Sequence, residues 1–180
     1  MITEKATIKC ECVYNEDRTH RLSWRRIWDK EKPMACVIMI NPNMSDNIVT
    51  DRTTRLVENN ICRLESYGGV CIVNLFSLLT PKLQMRWARD IDINDPENDK
   101  HIKKAAEEAS IVILAWGKSA ENNARILARA NQIIELLAPY KEKFRVISDG
   151  KRNGLHPLAP ACSMHWKLTN FEPDAKDETE

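Results

Sequence analysis

The residues with the most chemistry in them stand where apolar runs stop abruptly. Asn41-Pro42 follows Ala35–Ile40, ACVIMI. Pro42 holds the residue before it in extended backbone, which can fix the Asn41 side chain toward a cleft. An Asn amide can orient a water molecule or bond a ligand but is not a general base. The plain alternative is an Asn-Pro turn. Asn74 follows Val70–Val73. A polar amide at the end of a buried strand must find partners, so it either presents donor and acceptor to the edge of a base or caps the sheet edge. Phe76 either offers a stacking face or belongs to the core. Trp116-Gly117-Lys118-Ser119 joins a strand to a helix. Its glycine permits close backbone approach, and a helix N-terminus favours an anion. The multi-glycine run of a phosphate-binding loop is absent, and Ser119 serves equally as an N-cap. His156, in Gly154-Leu155-His156-Pro157-Leu158, lies on a loop, where an imidazole can donate to a developing anion or bind phosphate. Lys151-Arg152 and Arg25-Arg26 are candidate phosphate contacts, each otherwise a solvated face. His20, His101 and His165 look ordinary.

Positioning these residues takes a scaffold whose strands end side by side. Ala6–Tyr14 and Arg21–Asp29 read as an N-terminal strand pair. Ala35–Ile40, Val70–Val73, Ile111–Ala115 and Phe144–Ser148 read as strands, with continuous apolar runs typical of parallel strands buried on both faces. Asp51–Ser66 carries an apolar stripe at helical spacing, with Gly68-Gly69 closing it. Asp99–Ala109 and Ala120–Ala138 are further helices, the last stopped by Pro139. Thr80–Asn98 is a polar connection with a helical turn around Leu83–Arg89. Alternating strand and helix predict an α/β domain with a mostly parallel central sheet. In such sheets ligands bind beyond the carboxyl ends of the strands. Asn41, Asn74, Gly117 and His156 all follow such ends.

At 180 residues the chain suits one domain, 1–171, followed by an acidic tail, 172–180. The formal net charge is +1; without the five acids and one lysine of Glu172–Glu180, 26 basic and 21 acidic residues remain. That balance permits a phosphate-facing surface. The longest apolar runs are too short to span a bilayer. Met1–Lys5 has no apolar stretch like a signal peptide's, so a cytoplasmic protein with no membrane partner is expected. Cys36 and Cys71 fall in core strands, and Cys10 and Cys12 would face opposite sides of one strand, poor geometry for a metal. Reduced structural thiols, with no metal and no cofactor, are the expectation.

Ala35–Asp46, ACVIMINPNMSD, resembles the first motif of the mismatch-specific branch of the uracil-DNA glycosylase superfamily, with its Gly-Ile-Asn-Pro-Gly pattern. Val70–Leu75 resembles the superfamily's second strand, which ends in an Asn that reads uracil in some branches. Ile111–Asn123, IVILAWGKSAENN, is similar to its third strand with Trp-Gly-x-x-Ala, and His156-Pro157-Leu158 resembles its His-Pro-Ser motif. Through Arg21-x-x-Trp24, Asn41-Pro42, Asn74-Leu75-Phe76 and His156-Pro157-Leu158 the chain is still more similar to an uncharacterised bacterial and phage family related to these glycosylases. The resemblance covers about Cys12 to Trp166.

The resemblance implies a three-layer α/β/α fold around a central four-stranded, mostly parallel sheet. It also implies a monomer acting on DNA, single-stranded or modified, as a glycosylase that flips a non-canonical or damaged base. Asn41 would position the attacking water. His156 would stabilise the departing base or clamp a phosphate. Pro42, Asn43 and Ser45 would line the base pocket, Asn74 would read the base edge, Phe76 would stack, and Leu158 would fill the gap left by the flipped nucleotide. Gly117, Lys118, Ser119, Lys151 and Arg152 would face phosphates. The Asp of the most active branch is absent, and Asp46 or Asp51 would stand in for it. Asn43 replaces a glycine and Leu158 a serine. A module in phage–host conflict that binds modified DNA or a nucleotide without turnover is the alternative, and an enzyme of free nucleosides or nucleotides a third reading.

Overall fold

The computed structural model describes residues 1–84, 89–119, 122–162 and 165–172, positions 90 and 119 by backbone only. Seven strands form one mixed sheet: β1 (Lys9–Tyr14), β2 (Arg21–Ile27), β3 (Met34–Met39), β4 (Gly69–Asn74), β5 (Ile111–Leu114), β6 (Phe144–Ser148) and β7 (Lys167–Asn170). Their order is β1-β2-β4-β3-β5-β6-β7. β4, β3, β5 and β6 pair in parallel, while β1, β2 and β7 join antiparallel on the two flanks. The expected four-stranded sheet and separate N-terminal pair are therefore parts of one larger sheet. The last edge strand, β7, was not expected.

Side-chain alternation along the strands splits the core in two. Cys36, Ile38, Val73 and Leu114 face one side, where they meet Ile102 and Ala106 of α3 (Asn98–Glu108) and Ala130 and Ile133 of α4 (Ala124–Leu136). Ala35, Val37, Ile72 and Ile113 face the other, against Val57 and Ile61 of α1 (Arg52–Arg63), with Trp24 and Trp166. Each such fully buried aliphatic side chain contributes about 1.5–3 kcal/mol, which is why short runs such as IVIL hold as strands.

Several boundaries differ from expectation for local reasons. α1 starts at Arg52 because Asp51 is its N-cap, and beyond Arg63 the chain turns through Glu65 at φ 56°. Gly68 does not close the helix. Its carbonyl accepts from the Trp28 and Asp29 amides, and a Cβ there would lie 1.8 Å from the Asp29 carbonyl oxygen. α4 begins at Ala124, capped by the Asn123 side chain, and Pro139 sits in the 3-10 turn Ala138–Lys143. The long connection contains α2 (Asp90–Ile93). The turn expected around Leu83–Arg89 and the acidic tail fall largely outside the described residues.

All six cysteines are free thiols. Burial pushes Cys71 up to about 11 and Cys36 well above its ordinary value, so both are unreactive core residues. Among the described residues no group of three His, Cys, Asp or Glu side chains could hold a metal ion. No described helix is long and apolar enough to cross a membrane.

Candidate active site

The parallel strands all end on one edge, and the segments leaving them are stitched together there. Leu75 N–H donates to Met39 O at 2.8 Å, Phe76 N–H to Ile40 O at 2.9 Å, and Ala115 N–H to Ile38 O at 2.8 Å. Next to these ends lies an open cavity of about 250 Å³ whose lining includes Arg21, Asn41, Asp51, Thr80, His156 and Leu158.

The fold fixes Asn41 tightly. Its Nδ2 donates to Thr80 O at 2.9 Å and Pro42 O at 3.1 Å. Both partners are carbonyl oxygens, so the amide can sit only with its NH2 group toward them. Oδ1, which has no donor among the described residues, remains as an acceptor for the cavity. Thr80 N–H returns a bond to Pro42 O at 3.2 Å, zipping the segment after β4 onto the one after β3.

His156 enters from the loop after β6. Leu158 N–H donates to its Nδ1 at 3.1 Å. Nδ1 is therefore an unprotonated acceptor, and the neutral ring carries its hydrogen on Nε2. Burial lowers the pKa of His156 below 6.5, so at pH 7 the ring is a neutral donor. Gly117, at φ 68°, sets the ring's place. A Cβ on Gly117 would stand 2.7 Å from His156 Cβ and 3.0 Å from its backbone nitrogen. The Trp-Gly junction after β5 is thus a seat for the histidine loop.

A third group comes from β2. Arg21 is 1 % exposed. Its Nη1 donates to Ser45 Oγ at 2.7 Å and Ser45 O at 3.2 Å, and Trp24 Nε1 donates to Asp46 O at 2.8 Å. Arg21 and Trp24 together grip the loop that follows Asn41-Pro42. Burial lowers the Arg21 pKa from its ordinary value, with nearby Cys12 and Asp51 opposing that shift. Asp51 lines the cavity, but its oxygens are engaged: Oδ1 accepts from the Thr53 and Thr54 amides, and Oδ2 from Thr54 Oγ1 at 2.8 Å. Burial would raise its pKa; the bonds from Thr54, Ser45 and Thr53 outweigh that and hold it below the usual carboxylate value.

The remaining expected site residues divide between the cavity and other places. Asn43 lines the cavity. Pro42 and Ser45 are buried beside it. Asp46 does not line it; its Oδ1 accepts from the Ile48 and Val49 amides. Asn74 is buried next to Met39, a cavity residue, and its Nδ2 has no partner among the described residues. Phe76 is buried in the core on the α3–α4 side, because the chain bends after β4 and carries Leu75 and Phe76 onto the same face. Lys118 is exposed and outside the cavity; the Ser119 side chain is outside the described set. Arg152 is paired with Asp149, whose pKa that guanidinium pulls down to about 2, and Lys151 is exposed. Arg25 pairs with Glu108 and Arg26 with Glu58, so neither is a bare phosphate contact. Sequence reasoning missed the place of Arg21 and Thr80 in the wall. The Arg-x-x-Trp spacing signalled the first; nothing local signalled the second.

A mixed α/β sheet with a polar cavity at its parallel strand ends defines the class of this molecule. Residues 21–158 match the model of the family described as "Protein of unknown function (DUF1643)", and the chain belongs to that family. The matched range begins at Arg21 and ends at Leu158, both cavity residues. No curated protein and no solved structure matches the chain.

Proposed function

We propose that this protein is a DNA glycosylase-like enzyme that hydrolyses the N-glycosidic bond of a non-canonical, damaged or modified base and leaves an abasic site. The observation that carries the reading is the pairing, in one cavity, of a locked Asn41 amide and a neutral His156. Asn41 Oδ1 is a fixed acceptor for a water molecule; His156 Nε2–H is a fixed donor for developing negative charge. The C1′–N bond breaks with its electron pair leaving on the base, and the water oxygen joins C1′. The proton that water loses passes to solvent, and one from solvent neutralises the base. Donors preorganised at the leaving group suit such a dissociative step. Leu158, a cavity-lining side chain that is 39 % exposed, suits one that fills the space of a flipped nucleotide. The resemblance to the uracil-DNA glycosylase superfamily supports the same reading.

One observation favours a second reading, a sensor that binds modified DNA with little or no turnover. Asp51, the carboxylate in the cavity wall, is engaged in capping α1 and is unsuited to activate water. The test is single-turnover incubation with oligonucleotides carrying a panel of modified bases. The first reading expects alkali-labile abasic sites on at least one, lost in Asn41→Ala and His156→Ala. Tight binding without cleavage selects the second.

A further inference from the structure

Arg21 is not explained by the fold alone. It is 1 % exposed, it lines the cavity, and its Nε is buried without an acceptor among the described residues. Among the described residues no carboxylate forms an ion pair with it; Asp51 reaches it through its field and through the Ser45 hydroxyl, which accepts from Arg21 and bonds Asp51. Ser45 holds one end of the guanidinium through Nη1. A buried guanidinium with an idle N–H and no direct counter-ion is costly unless further acceptors or negative charge offset it. Nε itself is closed to solvent, so a group in the cavity that Arg21 lines would meet the guanidinium at its Nη hydrogens.

We propose that Arg21 is the charged hydrogen-bond donor for the group bound in this cavity, and that this group is a base presenting a carbonyl oxygen rather than an amino group at that point. This deepens the glycosylase reading and rests on it. An amino edge would set donor against donor at Arg21. A carbonyl edge accepts from it, and gains further when the departing base becomes an anion whose charge spreads onto that oxygen. Arg21 and His156 then supply two donors, one charged and one neutral, to the same leaving group.

The test uses the intact protein and barbiturate, a planar dioxopyrimidine anion, as probe. Calorimetry is expected to show binding by wild type, with Arg21→Met weakened at least about tenfold, the usual scale for losing one charge-assisted bond, and Arg21→Lys in between. In wild type the Arg21 guanidinium N–H resonances should move on saturation. Because that signal needs no variant, it decides the matter even where Arg21→Met fails to fold. Unmoved resonances, or equal binding by a folded Arg21→Met, overturn the inference. On any oligonucleotide the wild type cleaves, Arg21→Met should slow poor leaving bases more than good ones; a uniform slowing overturns Arg21's part in catalysis while leaving the glycosylase reading intact. Arg21-dependent barbiturate binding with no cleavage of any oligonucleotide sinks the glycosylase reading and retains the binding role.

Discussion

Gly117→Ala separates two things that a glycine can do. At φ 68° an alanine sits in the left-handed region, which costs about 1–2 kcal/mol. The new Cβ also lands 2.7 Å from His156 Cβ and 3.1 Å from its Cα. Those are backbone-anchored atoms that no rotamer change can move aside, and overlap of that kind adds about 1–3 kcal/mol. Gly154 has the same φ of 68° but nothing within 4 Å of its would-be Cβ, so Gly154→Ala carries the backbone cost alone. For a chain of this size each kcal/mol moves Tm by roughly 2–4 °C. Gly117→Ala is therefore expected to melt several degrees below Gly154→Ala in a thermal scan. The His156 imidazole resonances should shift in the first variant and stay put in the second. Equal melting temperatures with an unmoved His156 would refute the claim that the Trp-Gly junction seats the histidine.

Three further expectations follow from the site. Since burial lowers the His156 pKa, the unfolded chain holds its proton more tightly; stability from this group is present above pH 6.5 and is lost as pH falls through the folded value. An NMR titration should place that folded value below 6.5, and His156→Gln should flatten the dependence. Asp51→Ala removes the α1 cap and should cost about 1–2 kcal/mol in denaturant unfolding, whereas Asp51→Ser should recover most of it. The lowered Asp51 pKa works in the same direction with pH, its contribution being lost as pH falls through the folded value. Phe76→Leu should cost roughly 1 kcal/mol as a core change and leave ligand binding unchanged, because Phe76 packs on the opposite side of the sheet; a large loss of binding would restore it as a stacking residue.

Much of the frame was legible because it rests on local patterns. Strand β3, MACVIM, covers all but the last residue of the run ACVIMI, IVIL is β5, and Asn-Pro and Trp-Gly follow within two residues of their ends. Asn41 and His156 were legible as partners once the strand order put their loops on one edge. What escaped depends on contacts distant in sequence. The role of Gly68 is set by the Asp29 carbonyl it packs against. β7, KLTN, is short and half exposed, with no apolar pattern to announce it. Arg21 looks like any strand arginine until the loop bearing Ser45 folds over it. The placement of Phe76 turns on a single bend after Asn74, which breaks the alternation that β4 keeps.

The most direct measurement is the mass-spectrometric detection of free base released from modified-base oligonucleotides by wild type and by Asn41→Ala in a single turnover. A water-positioning Asn41 should give free base and an equal amount of abasic strand with wild type, and neither with Asn41→Ala. Absence of free base across the panel, or undiminished release by a folded Asn41→Ala protein, would contradict it.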